Sequence, residues 1–299
     1  MARTVLRLVI KFVPKFIKKR LDFHKTDTYK FLKMLNLNSL ARKGIDNLLA
    51  GEYILLDQLT KRLNINNGFV IDIGAGDGFS QSCTLGFFRR KGWSGLAVEL
   101  DPVKFSRLSF IFANFPNVLL ARNRVTPSNI LFILDAFEVP KDISFLSLDI
   151  DSFDLFVIKE MLNSDYKPKI IQMEVNEKIP SGIFFTVNYD DNHYWQSDHF
   201  YGCSLDAASL TVKPFGYLLY ALQYNNAIFI RNDLVSNNFS DLTAEEAYNN
   251  GYKNKDDREK LFSWNADVEQ WLHSETDESI ELIRQHFKKY EGKFTLHKI

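Results

Sequence analysis

Phe69-Val-Ile-Asp-Ile-Gly-Ala-Gly-Asp-Gly-Phe79 is the stretch on which the fold of this chain turns. Phe69, Val70, Ile71 and Ile73 surround one acid, Asp72, and glycines then fall at positions 74, 76 and 78. An apolar, β-branched run halted by alternating glycines reads as a buried strand that ends in a turn too tight for a Cβ. The spacing of Ser80 to Arg90 is helical, which places the glycines at a strand-to-helix junction. There a nucleotide-like ligand can lie against bare backbone, near the positive end of a helix.

The spacing of the glycines bears on the ligand. A dinucleotide-binding turn has G-x-G-x-x-G, and its third glycine lets helix and strand pack closely. Here Phe79 stands at that place and the third glycine comes one position early. The pattern G-x-G-x-G, with an acid two residues ahead, resembles motif I of the class I S-adenosylmethionine-dependent methyltransferases. That resemblance implies cofactor contacts from Asp72, Gly74, Ala75, Gly76 and Gly78, with Asp72 steadying the turn or the methionine amine.

Downstream, Gly95-Leu-Ala-Val-Glu-Leu-Asp101 reads as a second strand ending in Glu99, where a ribose-binding carboxylate is expected. With Pro102 it resembles the second methyltransferase motif, which brings Leu100 to the cofactor. Val103 to Phe115 is amphipathic and closed by Pro116. Asn117 to Ala121 is a third strand, and Asn123 lies just past its carboxyl end, where sheets of this type bind ligands. Thr126-Pro-Ser-Asn reads as a capped helix start.

Ile143 to Leu148 runs into Asp149, Asp151 and Asp154. Crowded carboxylates repel, so this strand end calls for a cation or a raised pKa. Carboxylates there can take a hydroxyl proton, orient an acceptor, or coordinate a divalent ion; Asp149 is also expected among the cofactor contacts, and Asp154 reads best as a helix cap. The fifth strand, Lys167 to Asn176, ends in Glu174 and Asn176 on one face. Oxygen donors from adjacent strand ends suit Mg²⁺ better than zinc, so Asp149, Asp151 and Glu174 are the candidate metal ligands. Leu148-Asp-Ile-Asp-Ser-Phe-Asp154 with Pro168 to Asn176 resembles the FkbM-type branch, which implies O-methylation of glycans or natural products; Ser152 stands where that branch has glycine. The pair Asp149 and Asp151 also resembles the metal motif of macrocin-type sugar O-methyltransferases.

Residues 177–202 show little regular pattern, but carry Tyr189, Asp190, Asp191, His193, Tyr194, Trp195, Asp198, His199 and Tyr201. This insertion is placed to roof an acceptor site, with His193 and His199 as candidate bases or ligands. Gly202 to Lys213 reads as a helix. Phe215–Leu222 and Asn226–Arg231 form a hairpin about Tyr224-Asn225. Trp264 and Trp271, seven apart, suit one helix face, and Ser274 to Tyr290 is an amphipathic helix in a helical C-terminal extension.

The first twenty residues interleave seven bases with apolar residues, and no acid appears before Asp22. An amphipathic anchor on an anionic membrane surface and a helix packed on protein or on a second subunit are both open. Tyr53 to Leu63 reads as a covering helix. The expected organisation is a basic helix (1–25), a helical cover (26–65), a cofactor-binding domain (66–234) and the C-terminal extension (235–299).

Formal net charge is zero over 299 residues, which argues against bulk attraction to nucleic acid. Cys83 and Cys203 lie far apart, as in a reduced cytoplasmic protein, and no stretch reaches the length of a membrane span. The expected fold is α/β: a Rossmann-like seven-stranded, mostly parallel sheet with a terminal antiparallel hairpin. The expected activity is S-adenosylmethionine-dependent O-methylation of a small-molecule or glycan hydroxyl, in the cytoplasm or at the inner membrane surface. A nucleotide- or nicotinamide-binding enzyme and a non-catalytic scaffold on the same fold are the alternatives.

Overall fold

A computed structural model describes residues 52–235 and 239–299. The expectations for the basic N-terminal segment and for the cover as far as residue 51 lie outside the described residues. Glu52–Ile299 forms one unit, and its framework is a sheet in the order β3-β2-β1-β4-β5-β8-β7. The strands are β1 (Gly68–Ile73), β2 (Trp93–Glu99), β3 (Val118–Arg122), β4 (Phe145–Leu148), β5 (Ile170–Glu174), β7 (Tyr217–Gln223) and β8 (Asn226–Arg231). The first five run parallel, and β8 then enters antiparallel between β5 and β7. This is the expected Rossmann-like sheet with its closing hairpin.

The central strands are apolar because both faces are covered. Val70, Ile71, Ile73, Leu96, Phe145, Leu146, Ile170, Ile171 and Met173 are all buried. On one face Phe87 packs on Trp93, Phe145 and Tyr53, the last from the helix Glu52–Arg62. Polar residues therefore concentrate where the parallel strands end. Strand order reverses between β1 and β4, and beside that crevice the carboxyl ends of β1, β2, β4 and β5 converge.

Four expectations are corrected. The helix after the glycine turn spans only Leu85–Phe88. Asp77 accepts hydrogen bonds from the backbone N–H of Phe79 (3.0 Å) and Ser80 (2.6 Å), and Gln81 is left-handed, so residues 77–84 form a turn instead. The next helix begins at Ile130 rather than near Thr126, because Asn129 bridges Thr126 N–H and the Arg124 carbonyl and holds that turn closed.

The insertion contains β6 (Ile183–Val187), paired antiparallel with β9 (Phe294–Lys298), so the C-terminal extension ends in a strand. Trp264 and Trp271 lie on separate short 3₁₀ turns, Ser263–Asn265 and Glu269–Leu272. The helix Thr276–His286 follows the amphipathic pattern more closely. Among the described residues, no helix is long and apolar enough to cross a membrane.

Candidate active site

The three motif glycines do three different things. Gly74 has φ +84°, and a Cβ there would fall 1.6 Å from the backbone carbonyl oxygen of Asp149. Strand β1 therefore leaves the sheet in contact with the acidic end of β4. At Gly78, φ is +72° and a Cβ would strike Leu108 and Phe112 of the helix Pro102–Phe112, so this glycine serves packing. Gly76, φ +58°, has no heavy atom within 4 Å of its Cβ position. Its bare face is the part of the turn open to a ligand.

Glu99 joins this turn to the end of β2. Its Oε2 accepts the Gly76 N–H at 2.8 Å, and its Oε1 accepts the Asp101 N–H at 2.6 Å. The carboxylate is thus fixed beside the open glycine, and each oxygen keeps a further lone pair. Leu100 is 46% exposed at the same rim. Asn123, also exposed, donates its backbone N–H to the Glu99 carbonyl at 3.2 Å. Ala75 is buried, with its N–H on the Val98 carbonyl. Asp72 lies beneath the turn and accepts Thr84 Oγ1–H at 2.5 Å. Burial is the main reason its pKa is raised to about 6. Its observed work is to tie β1 to the turn that precedes Leu85.

Next to the glycine turn stand three acids. Asp149, Asp151 and Glu174 each offer a carboxylate oxygen within 4.8 Å of the others. Burial, and then the charges of Asp151 and Asp154, hold the Asp149 carboxyl well above its ordinary range, although its side chain keeps some solvent contact. Glu174 is raised in the same direction by burial and then by Asp149. Asp151 is raised by burial, against the pull of Lys104, and its φ of +55° is unusual for a residue with a Cβ. Asn225 donates to Glu174 Oε1 at 3.0 Å, whereas the buried Oε2 finds no hydrogen-bond donor. An oxygen-only donor set with an orphaned buried oxygen fits a shared proton or a hard cation such as Mg²⁺.

Asp154 belongs to the scaffold beneath these acids. It does not cap the helix Asp154–Asn163; its carboxylate accepts the N–H groups of Ile150 (2.9 Å) and Ser152 (3.2 Å), shaping the loop that presents Asp149 and Asp151.

The two candidate histidines turn their rings elsewhere. His193 packs edge-on against Phe200, and its carbonyl accepts from Arg124. His199 Nε2 lies 3.0 Å from Asp267, and its ring stacks on Trp264. Sequence patterns also missed a buried group behind the acids. Lys178 Nζ donates to Tyr201 Oη (2.8 Å) and Glu177 Oε1 (3.3 Å), and Asn265 donates to the same Glu177 oxygen (2.7 Å). Glu52, from the covering helix, accepts from Asn226 and Gln172, and burial raises its pKa to about 7. The signal for Glu52 was weak: one acid opening an otherwise ordinary amphipathic helix.

No protein-family model matches this sequence, and no curated protein matches it. Among solved structures, the chain is similar to the N-terminal domain of EvdMO1 with SAH bound, at 13% identity and TM-score 0.38, over 62% of this chain and 81% of that one. It is also similar to a SAM-dependent methyltransferase from Aquifex aeolicus, at 12% identity and TM-score 0.37, over 69% and 96%. A third is an S-adenosylmethionine-dependent methyltransferase from Clostridium acetobutylicum, at 12% identity and TM-score 0.40, over 69% and 99%. These are likenesses of fold alone.

Proposed function

We propose that this chain is an S-adenosylmethionine-dependent O-methyltransferase acting on a hydroxyl of a sugar or related small molecule. The observation that carries the reading is the contact of Gly74 with the Asp149 carbonyl, which sets an open glycine turn and its Glu99 against a cluster of carboxylates. S-adenosylmethionine would supply the methyl group when bound. Gly76 admits the adenosyl portion to the backbone, and Glu99 accepts hydrogen bonds from the ribose. Leu100 and Asn123, at the same rim, would flank the base.

Bound S-adenosylmethionine would give its methyl group to the acceptor oxygen, the C–S bond breaking as the C–O bond forms and a neutral thioether departing. Asp149 or Asp151 takes the hydroxyl proton. Much of the rate gain comes from holding acceptor and donor in line, with a positioned base adding to it. Burial raises the pKa of both carboxyls, which makes each ionised form a stronger base. If Mg²⁺ binds, Asp149, Asp151 and Glu174 hold it, and it would orient and acidify the acceptor hydroxyl. Tyr194 and Trp195, both exposed on the insertion, suit the apolar face of a sugar.

Full-length protein incubated with methyl-labelled S-adenosylmethionine and a panel of saccharides tests this directly. Label recovered as a sugar methyl ether supports the proposal. Label on nitrogen or carbon alone, or none with any acceptor while cofactor binds, overturns the acceptor assignment.

A further inference from the structure

A second cluster lies outside the proposed active site. His199 on the insertion, Asp267 after a 3₁₀ turn, and His286 at the end of the helix Thr276–His286 each offer one ligand atom within 4.8 Å of the others. We propose that these three residues form a binding site for a divalent transition-metal ion of the zinc class.

The donor chemistry separates this cluster from the acids at 149, 151 and 174. Two imidazoles and one carboxylate suit Zn²⁺, whereas oxygen alone suits Mg²⁺. Tetrahedral zinc with bonds of about 2.0 Å places its ligand atoms roughly 3.3 Å apart. His199 Nε2 and Asp267 Oδ1 already lie 3.0 Å apart. Asp267 is 62% exposed along its side chain and His286 is exposed, so both have room to close on an ion.

His199 is the fixed member. It is buried, its ring stacks on Trp264 at 4.9 Å, and its carbonyl accepts from Asn176 at 2.9 Å. Its Nε2 is the nitrogen turned toward Asp267 and is the one placed to bind an ion.

An ion here would join the insertion to the C-terminal helix. Tyr201, two residues beyond His199, contacts Lys178 and Glu177 behind the proposed acceptor site. Occupancy would therefore firm the wall behind that site while leaving the acids themselves unliganded.

The test uses the full chain after treatment with a chelator and desalting. Calorimetric titration with ZnCl₂ should show one site, and Co²⁺ should give the visible absorption of a four- or five-coordinate ion. His286→Asn and Asp267→Asn should each weaken binding at least about tenfold. His273→Ala and Asp149→Asn should leave it unchanged, separating this site from another surface histidine and from the acidic cluster. Melting curves without metal check that each variant folds. Absence of zinc binding by the parent chain, or an affinity unchanged from the parent's in His286→Asn and Asp267→Asn, would overturn the proposal.

Discussion

The carbonyl of Asp149 occupies the space that a Cβ on Gly74 would require, at 1.6 Å from its ideal position. The glycine turn and the acidic strand end are consequently one structure. Gly74→Ala should separate them, adding steric displacement to the strain of φ +84°. We expect a loss above the roughly 1–3 kcal/mol typical of backbone strain alone. Gly76→Ala meets open space and should cost about 1–3 kcal/mol at most, yet it places a methyl on the face left for the cofactor. Denaturant melts with cofactor titrations check both: Gly74→Ala should lose more stability, and Gly76→Ala should lose affinity out of proportion to its stability.

The buried acids make a pH prediction. Burial raises Glu52 to about 7 and Asp72 and Asp154 to about 6. Each then holds its proton more tightly in the folded chain than in the unfolded one. The resulting stabilisation is complete below the unfolded values near pH 4 and is lost as pH rises through 6 to 7. The thermal midpoint of the chain should therefore fall between about pH 5 and about pH 8.

Glu52→Gln isolates one part of that slope. Gln172 Oε1 is buried without a partner, so the site can accept a neutral donor at position 52. The variant should match the parent near pH 5 and exceed it near pH 8, by on the order of 3 kcal/mol as an upper bound. Parallel slopes for the two proteins would remove Glu52 as the titrating group.

Asp149→Asn should lower methyl transfer by about 100-fold or more if this carboxylate takes the acceptor proton. Cofactor affinity should persist, since the change keeps the backbone carbonyl that meets Gly74. Single-turnover rates with a saccharide acceptor, beside binding of S-adenosylhomocysteine, separate the two effects.

Lys178→Met should destabilise the chain by about 3–5 kcal/mol, because Glu177 is left as a buried charge with only Tyr201 and Asn265 as donors. Adding Glu177→Gln should recover part of the loss. An additive double variant would show that the pair is not coupled.

Much of the sheet could be read locally. Val70 to Gly78, Gly95 to Glu99 and Asn226 to Arg231 carry their strand pattern within a few residues, and the acids at 149, 151 and 174 mark strand ends that meet once the order is known. What escaped depends on remote partners or on side chains competing with the backbone. Asp77 closes a turn where spacing predicted helix. Strand β6 is completed by β9; at its end Thr295 donates to Asn188, 107 residues away. Histidine as a residue type suggested a base at position 199, but its ring neighbours come from residues 264–286, which no local pattern joins to it.

The central claim is that the open glycine turn and Glu99 bind the adenosyl portion of the cofactor. Calorimetric titration of the full chain with S-adenosylhomocysteine tests it most directly. The parent chain and Asp149→Asn should bind at one site with similar affinity, and Glu99→Gln should bind at least about tenfold more weakly, one lost charge-assisted hydrogen bond being enough. No binding by the parent chain, or unchanged affinity in Glu99→Gln, would contradict the account.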